Sequence, residues 1–353
     1  MESIEEYLGA TAKTVEARLE SFFPKKLTRA WLEHALGAPK FYSDEKTCNS
    51  AVAEPIWDFL SRGGKRWRPA LMLLCCEAVG GNPDEIGEFV VLPELLHNGT
   101  IMVDDVEDNA ELRRGRPCTH KIYGEDLAIN DANLLYYLPT ILLYRNTKNL
   151  GCETRVKIYG TYAEEMLRLS FGQAMDIYWH GGKGGKITEQ QYLQMCIYKT
   201  GTLASFAAKL GAILGNAQER QVTALGNFAA TLGVAFQIRD DVLNLFPNKG
   251  WGKETGEDVR EGKRSLPAIY ALEHASPKQA KRLAVILDSG KNTKAEVKEA
   301  IKIIGDCGSV EYSRKTAARL VSEAWSELAP SLSESPAKQR LKEFADYLVK
   351  REI

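Results

Sequence analysis

The spacing of apolar residues constrains the fold of this chain more than any other feature. Apolar side chains recur at intervals of three and four residues, as in IEEYLGATAKTVEARLESFF, IGEFVVLPELLHNGTIMVDDVED and TAARLVSEAWSELA. This period matches one face of an α-helix, and the alternation of a half-buried strand is nearly absent. The sequence therefore predicts an all-α fold, a bundle of helices that bury their apolar faces against one another.

The segments between the predicted helices are short and polar, for example GGNPDE, NTKNLG and HGGKGGK. They are rich in the Gly, Pro and Asn residues that are typical of turns. None is long enough to predict a linker between domains. We therefore expect a single domain over residues 1–353, in which residues 1–50 form an N-terminal helical extension.

The charge balance excludes a general attraction for polyanions. The formal net charge is -1, from 46 basic and 47 acidic residues, so we expect no nucleic-acid partner.

The longest apolar run, residues 134–144, is interrupted by Pro139 and is shorter than the roughly 20 residues that span a bilayer. The seven cysteines lack metal-ligand or disulfide-framework spacing, and the acidic N-terminus carries no visible targeting signal. We expect a cytoplasmic protein without a membrane span.

The stretch VDDVEDNAELRRG, residues 103–115, places four carboxylates within five positions. Asp104 and Asp108 share a helical face, where like charges repel by roughly 0.2–0.5 kcal/mol. Asp105 lies about 100° from Asp104 around the helix and is expected to act as an outer partner. Mg²⁺ takes carboxylate oxygens and commonly binds through one or two carboxylates plus substrate phosphates. The pattern favours such a site, with a solvated acidic face as the alternative.

A second acid pair, Asp240 and Asp241 in FQIRDDVLNL, echoes the first and lies within an apolar helical stretch. Carboxylates on a largely buried helix need a metal ion or a basic partner, because an isolated buried charge is costly. On two helices of one bundle, the two acid clusters would face each other across a cleft.

Basic residues occur in separate polar segments. GGKRWRP places Lys65, Arg66 and Arg68 beside a glycine pair that lets backbone amides approach an anion closely. Arg113 and Arg114 carry planar groups suited to bidentate phosphate contacts. Three further lysines follow: Lys199, Lys253 and Lys263. Each lysine alone is more often a surface residue, but acids that suit Mg²⁺ and bases that suit phosphate together predict a diphosphate bridged to metal ions.

Six segments in this order carry a family resemblance: GGKRWRP, ELLHNGTIMVDDVEDNAELRRGRP, FGQAMD, YKTGT, FQIRDDVLNL and GKETGEDVREGKRSLP. From about Trp57 to Ile269 the chain resembles the trans-type isoprenyl diphosphate synthases (polyprenyl synthetases). Within that family it is most similar to the geranylgeranyl diphosphate synthases of the eukaryotic type. The resemblance implies an isoprenoid synthase fold with a deep central cavity, in a homodimer. It also implies Mg²⁺-dependent condensation of isopentenyl diphosphate with an allylic diphosphate, namely dimethylallyl, geranyl or farnesyl diphosphate.

The same resemblance implies roles by motif position. The metal ligands would be Asp104, Asp108 and Asp240, with Asp105 and Asp241 close behind them. The allylic diphosphate would be bound by Arg113, Lys199, Lys263 and Lys253. The isopentenyl diphosphate would be bound by Lys65, Arg68, His97 and Arg114. The reaction centre would be lined by Gln173, Asp176, Thr200 and Gln237. A lone histidine in an apolar helix is more often a core residue, so the role of His97 rests on its place in the motif.

Product length is expected to depend on the helix before Asp104. The growing prenyl tail would run past Thr100, Gly99 and Leu96, which precede that aspartate by four, five and eight positions. In relatives with short products an aromatic ring blocks this wall, and these three positions carry none. The favoured product is geranylgeranyl diphosphate, with longer prenyl diphosphates as the alternative. Three later residues either form a floor for the tail or pack in the ordinary way: Tyr136, Tyr137 and Pro139.

Two other functions fit part of these observations. A class I terpene cyclase would also use an Asp-rich cluster and Mg²⁺, but it would not need a second diphosphate site such as GGKRWRP with His97. A non-catalytic partner subunit of a prenyl synthase would be expected to lose acids of the first cluster or the arginine pair. This chain keeps both.

Overall fold

The structure is a computed structural model that describes residues 3–247, 255–290 and 292–350. These residues form α-helices joined by short turns, with one small hairpin, so the predicted all-α class is confirmed. The helices are α1 Ile4–Phe22, α2 Arg29–Leu36, α3 Glu45–Cys48, α4 Glu54–Leu60, α5 Trp67–Ala78, α6 Val91–Glu107, α7 Thr119–Tyr123, α8 Glu125–Tyr137, α9 Ile141–Tyr144, α10 Cys152–Trp179, α11 Glu189–Cys196, α12 Thr202–Leu214, α13 Glu219–Leu245, α14 Glu257–Glu261, α15 Leu266–His274, α16 Pro277–Ser289, α17 Lys294–Asp306, α18 Ser309–Leu328 and α19 Pro336–Lys350.

Tighter and wider helical turns connect several of these helices. The 3-10 turns are Gly87–Val90, Leu138–Thr140, His180–Gly182 and Ala329–Ser331, and the π-helical turns are Asn49–Ala53 and Ile197–Gly201. The hairpin pairs β1 Leu112–Arg113 with β2 Arg116–Pro117, antiparallel. It directly follows the first acid cluster and carries the arginine pair.

Helix α12 lies at the centre of the bundle. It packs against α5, α6, α10 and α13, and its residues are buried nearly all round, as expected for a core helix. Gly211 permits the close approach of α5, because a Cβ at this position would lie 2.0 Å from the carbonyl oxygen of Met72. The helices around α12 therefore point their side chains toward a common interior.

Buried apolar residues form two clusters. The larger surrounds α12 and includes Val15 and Leu19 of the N-terminal helix α1. The smaller lies among α14 to α17, around Leu283 and Ile304. The division into one domain with an N-terminal extension stays a prediction. Within the described ranges, no helix has the length and apolar character needed to cross a membrane.

Candidate active site

Two adjoining cavities lie between the helices that carry the acid clusters. The central cavity, about 300 Å³, is walled by residues of α5, α6, α8, α10, α12 and α13 and by the Lys199 turn. The acidic pocket, about 130 Å³, lies toward α14 and includes Asp176, Asp241, Asp258 and Lys263. Four residues line both: Asp104, Lys199, Gln237 and Asp240. The two acid clusters predicted from the sequence therefore reach one connected space.

Asp104 on α6 points into this space. Its Oδ1 accepts hydrogen bonds from Nζ of Lys199 at 3.1 Å and from Nε2 of Gln173 at 3.0 Å. Although burial raises the pKa of the Asp104 carboxyl, the nearby charges of Lys199 and Lys263 hold it well below its usual value. The carboxylate remains ionised, as a metal ligand must be.

Asp108 follows the last residue of α6 and accepts from Nζ of Lys263 at 3.0 Å. The same ammonium group lies 2.6 Å from Oε2 of Glu261 on α14. Burial raises the pKa of Glu261 to about 7, although Lys263 opposes this effect. Lys263 thereby joins the end of the first acid cluster to the segment after the second.

Asp105 points away from both cavities and is only 1% exposed. Its Oδ1 accepts from Nε of Arg113 at 2.8 Å, and Nη2 of this arginine lies 4.0 Å from Oδ2 of Asp104. Burial raises the pKa of Asp105 more than Arg113 lowers it. Asp105 thus holds Arg113 beside Asp104, and its outer role at a metal site stays a prediction.

The second cluster is ordered by a chain of hydrogen bonds that joins α13 to α11 and to the Lys199 turn. Oδ1 of Asp241 accepts from Nε2 of Gln237 at 2.8 Å, and Oδ2 accepts from the hydroxyl of Tyr192 at 2.6 Å. Oε1 of Gln237 accepts from the hydroxyl of Thr200 at 2.9 Å. Burial raises the pKa of Asp241 to about 6. Asp240, its neighbour, lines both cavities.

The π-helical turn Ile197–Gly201 carries Lys199 and Thr200 into the cavity wall. A Cβ at Gly172 of α10 would lie 2.3 Å from the backbone nitrogen of Lys199, so glycine permits this approach. Nζ of Lys199 donates to Oδ2 of Asp176 at 2.5 Å. Although burial lowers it, the charges of Asp104 and Asp176 raise the pKa of Lys199 well above its usual value.

A second basic group lies beside the central cavity. Nη1 of Arg68 lies 3.0 Å from Nε2 of His97, and both residues line the cavity. Because a guanidinium group has no acceptor, Nε2 of His97 must accept and the imidazole is neutral. Burial, followed by the charge of Arg68, lowers the pKa of His97 well below its usual value. Arg68 also lies over the ring of Trp67, at 4.3 Å.

Arg114 belongs to the same group. Its Nη1 donates to the carbonyl oxygen of Gly63, and its guanidinium lies 5.2 Å from the ring centre of Phe59. Burial lowers the pKa of Arg114 to about 10. Lys65 is exposed on the adjoining loop. The remaining predicted basic residue, Lys253, lies outside the described residues.

Only one of the three predicted product-length residues lines the central cavity in the structure. Thr100 lines the central cavity. Gly99 instead faces α8, where a Cβ would lie 2.8 Å from the carbonyl oxygen of Ala132, and Leu96 is buried away from the cavity wall. Of the three candidate floor residues, Tyr136 reaches the cavity, while Tyr137 is 67% exposed and Pro139 is buried.

Sequence reasoning assigned no role to several polar residues around the predicted ones, namely Glu94, Asn98, Glu107 and Tyr192. Arg66, which the sequence grouped with Lys65 and Arg68, instead donates to Glu94 and to the carbonyl oxygen of Leu60. A signal was present for Glu94, a single acid within the apolar stretch VVLPELL, because a buried acid usually has a basic partner. No comparable signal marks Tyr192, whose partner lies 49 positions away.

Fold, site and relatives together define the class of this protein as a prenyl-transferring enzyme. Residues 49–304 match the family model described as polyprenyl synthetase. The chain belongs to the polyprenyl synthetase family, as its six motifs predicted.

Two relatives and one solved structure give the extent of the similarity. The chain is 35% identical to the short chain isoprenyl diphosphate synthase of Methanothermobacter thermautotrophicus, over 83% of this chain and 88% of the relative. It is 35% identical to the geranylgeranyl diphosphate synthase of Methanosarcina mazei, over 82% and 86%. The geranylgeranyl pyrophosphate synthetase structure from Pyrococcus horikoshii superposes with a TM-score of 0.82, at 29% identity, over 99% of each chain. These organisms are archaea, so the expected particular closeness to eukaryotic-type enzymes is not confirmed.

Proposed function

We propose that this chain condenses isopentenyl diphosphate with an allylic diphosphate in a Mg²⁺-dependent reaction, and that geranylgeranyl diphosphate is its main product. The observation that carries the proposal is the pairing of two different charged groups on one cavity. Asp104 and Asp240, with Lys199, suit a metal-bound diphosphate. Arg68 and His97 suit a second diphosphate without metal.

The donor set fits Mg²⁺. Asp104, Asp108 and Asp240 offer carboxylate oxygens, which this cation prefers, and they would hold it together with phosphate oxygens of the substrate. Within the described residues, no group of three or more acids, histidines or cysteines is arranged to hold a metal ion by itself. When bound, Mg²⁺ acts as a Lewis acid toward the departing diphosphate.

The side chains of this chain would bind and orient both reactants. Lys199, Lys263 and Arg113 would donate to the allylic diphosphate and stabilise the negative charge that develops as its carbon–oxygen bond breaks. Arg68, His97 and Arg114 would hold isopentenyl diphosphate at reacting distance. The double bond of the isopentenyl group would then form one new carbon–carbon bond to the allylic carbon, from which the diphosphate departs, before water reaches that carbon. The departing diphosphate, rather than a protein side chain, would take up the final proton.

The apolar part of the cavity would hold the growing chain and exclude water. Its wall includes Ile101, Val103, Leu169, Leu203 and Phe236, beside Thr100. The names of two relatives favour geranylgeranyl diphosphate as product. A longer prenyl diphosphate is the second candidate. An aromatic ring at position 100 would close the cavity, whereas the small side chain of Thr100 leaves it open to a longer chain.

The test is incubation of the purified chain with Mg²⁺, radiolabelled isopentenyl diphosphate and each allylic starter in turn. We expect incorporation that requires an allylic starter and that yields geranylgeraniol after dephosphorylation and chromatography. A longer alcohol would replace the proposed product and keep the reaction. Cyclised hydrocarbon would favour a terpene cyclase, and no product at all would favour a non-catalytic partner subunit.

We also propose a homodimer in the cytoplasm. The long helix α10 presents exposed apolar side chains along one side, among them Val156, Leu167, Phe171 and Tyr178. Such a face suits burial against the same face of a second copy. The cytoplasm is proposed because seven free thiols suit a reducing compartment.

A further inference from the structure

The first turns of α6 carry a buried carboxylate. Its partners lie near the proposed isopentenyl diphosphate site of Arg68, His97 and Arg114. Glu94 is 2% exposed, and its Oε1 accepts from Nη1 of Arg66 at 2.6 Å. The same oxygen accepts from Nδ2 of Asn98 at 2.6 Å. Asn98 is fully buried, so its side-chain amide is fixed in one orientation. One carboxylate thus ties the loop before α5 to α6.

Asn98 extends this contact to the arginine pair. Its Nδ2 is committed to Glu94, which turns Oδ1 toward Nη2 of Arg114, 3.4 Å away. Nη1 of Arg114 donates to the carbonyl oxygen of Gly63 on the loop before α5. The chain of contacts therefore runs from Arg66 through Glu94 and Asn98 to Arg114.

Both guanidinium groups lie against Gly64. A Cβ on this glycine would lie 3.3 Å from Nη2 of Arg114 and 3.4 Å from Nη1 of Arg66. Arg66 has a left-handed backbone, with φ of 46°, a conformation that needs support from its surroundings. Its Nη2 supplies part of this support by donating to the carbonyl oxygen of Leu60 at 2.9 Å. Arg66 is thereby committed to the protein, while Arg68, two positions on, lines the central cavity.

The charges around Glu94 explain why a carboxylate is required here. Arg66, Arg68 and Arg114 crowd one region, and the charge of Arg66 lowers the pKa of Arg114, after burial. The negative charge of Glu94 acts in the opposite sense on both Arg114 and Arg68. Without it, arginines held close together would repel one another and turn toward solvent.

We infer that Glu94 is a positioning residue for the second diphosphate: through Arg66 and Asn98 it fixes Arg114 and the loop before α5 in the arrangement that binds isopentenyl diphosphate. This inference rests on the proposed function and names a determinant of one of its two substrates. Glu94 lines neither the central cavity nor the acidic pocket and acts on the ligand through its arginine partners. A site whose arginines are fixed in advance loses less conformational entropy when the ligand binds.

The test compares the KM values of the two substrates in the purified full chain. Glu94→Gln keeps the size of the side chain and removes its charge. We expect the KM for isopentenyl diphosphate to rise about tenfold or more, corresponding to about 1.4 kcal/mol. The KM for farnesyl diphosphate should stay within about twofold, because the basic groups proposed to bind it are held by other acids than Glu94. Arg113 pairs with Asp105, Lys199 with Asp104 and Asp176, and Lys263 with Asp108. Equal changes in both KM values, or no change in either, would overturn the inference.

Glu165→Gln is the matched control. Glu165 is also a buried carboxylate, 1% exposed, and it accepts from Ser205 at 2.9 Å and from Lys209 at 2.7 Å. It belongs to the contact between α10 and α12 and lines neither cavity. We expect this variant to lower the melting temperature without separating the two KM values. A selective rise for isopentenyl diphosphate in this control as well would count against a role specific to Glu94.

Asn98→Ala provides the test if Glu94→Gln does not fold. Removing the amide frees Arg114 but leaves the ion pair between Glu94 and Arg66 intact, so a smaller selective rise in the KM for isopentenyl diphosphate is expected. An unchanged KM would overturn the proposed link to Arg114. Activity of the unchanged chain is measured first: if it incorporates no isopentenyl diphosphate, the proposed function fails, whereas normal activity with unselective variants rejects only the positioning role.

Discussion

Two lysines offset the repulsion between the carboxylates of the first acid cluster and Asp176. Nζ of Lys199 lies 3.1 Å from Asp104 and 2.5 Å from Asp176, and Nζ of Lys263 lies 3.0 Å from Asp108. Opposite unit charges about 4 Å apart attract by about 4 kcal/mol at an effective dielectric constant of about 20. This attraction exceeds the few tenths of a kcal/mol by which neighbouring carboxylates on a helix repel. Asp104 and Asp176 can therefore line one pocket in their ionised form.

Asp104→Asn tests whether the charge of this carboxylate is required. The change keeps the shape and one oxygen acceptor but removes the charge that would bind Mg²⁺. We expect kcat to fall by about a hundredfold or more, corresponding to roughly 2.7 kcal/mol of lost transition-state stabilisation. The measurement is isopentenyl incorporation at saturating Mg²⁺. Asp126→Asn, on the exposed first turn of α8, is the control; a comparable loss in both variants would contradict the prediction.

Asp131→Asn tests a buried acid outside the site. Asp131 on α8 is fully buried, and among the described residues its Oδ2 has no hydrogen-bond partner. Burial raises its pKa to about 7. The folded state therefore binds this proton more tightly than the unfolded state, so stability falls as pH rises from the unfolded pKa of about 4 to about 7 and stays lower above it. Asparagine does not ionise and removes this loss.

Urea unfolding at pH 5 and pH 8 measures the effect. We expect Asp131→Asn to raise the free energy of unfolding by roughly 1–4 kcal/mol at pH 8 and by less at pH 5. Asp126→Asn, whose carboxylate is exposed on the same helix, should change neither value appreciably. A gain of equal size at the two pH values would show that ionisation of Asp131 is not the cause.

At the scale of elements, α6 has two functional faces. The cavity face carries His97, Thr100, Asp104 and, after the last helical residue, Asp108. A second face carries Glu94, Asn98 and Asp105, all buried and bonded toward the loop before α5 or the hairpin. Spacings of three, four and seven residues keep each set on one side of the helix. One helix therefore carries cavity residues and also fixes the arginines beside them.

Thr100→Phe tests the product-length wall. Thr100 faces the cavity and donates from its hydroxyl to the carbonyl oxygen of His97 at 2.8 Å. A phenyl ring there would enter the space proposed for the prenyl tail, so we expect the product to shift from geranylgeranyl toward farnesyl diphosphate. Product alcohols separated by chromatography provide the readout. Thr100→Val removes the same hydroxyl without adding length, and a shift of equal size in that variant would rule out steric blocking.

Gly99→Phe tests the neighbouring position. We expect this change to shorten the product as well, but the new Cβ would lie 2.8 Å from the carbonyl oxygen of Ala132 on α8. Overpacking of this kind typically costs about 1–3 kcal/mol. We therefore expect a lower melting temperature together with any change in product. A stable variant with an unchanged product would show that the tail does not pass this residue.

The sequence identified periodic and charged features more readily than the direction of individual side chains. The helical fold follows from a repeated period, and the acid clusters are recognisable because charges interrupt apolar stretches. The difference between Thr100 and Gly99 depends on where α8 packs, which the pattern of α6 does not encode. The pairing of Glu94 with Arg66 joins positions 28 residues apart. This pairing depends on the loop before α5 lying beside α6, which neither local sequence indicates.

At the scale of the molecule, the long helix α10 links the cavity to the exterior. Its inner side carries Gln173 and Asp176, which contact Asp104 and Lys199. Its outer side carries Leu167 and Phe171, exposed by 63% and 66%. Fully burying side chains of this kind contributes about 1.5–3 kcal/mol each. A second copy on this face would both bury the apolar surface and restrain the helix that holds the reaction centre.

The double substitution Leu167→Glu and Phe171→Glu tests this assembly. Two carboxylates on each copy would have to be buried without partners at the proposed contact, which is costly. We expect sedimentation to change from a dimer to a monomer and activity to fall, because the α10 side chains near Asp104 would lose their support. Val285→Glu, a change at another exposed apolar residue, is the control and should leave both unchanged. If the unchanged chain sediments as a monomer, the outer face of α10 is not a contact between copies, and the reaction centre is restrained within one chain, where α10 packs against α11, α12 and the Lys199 turn.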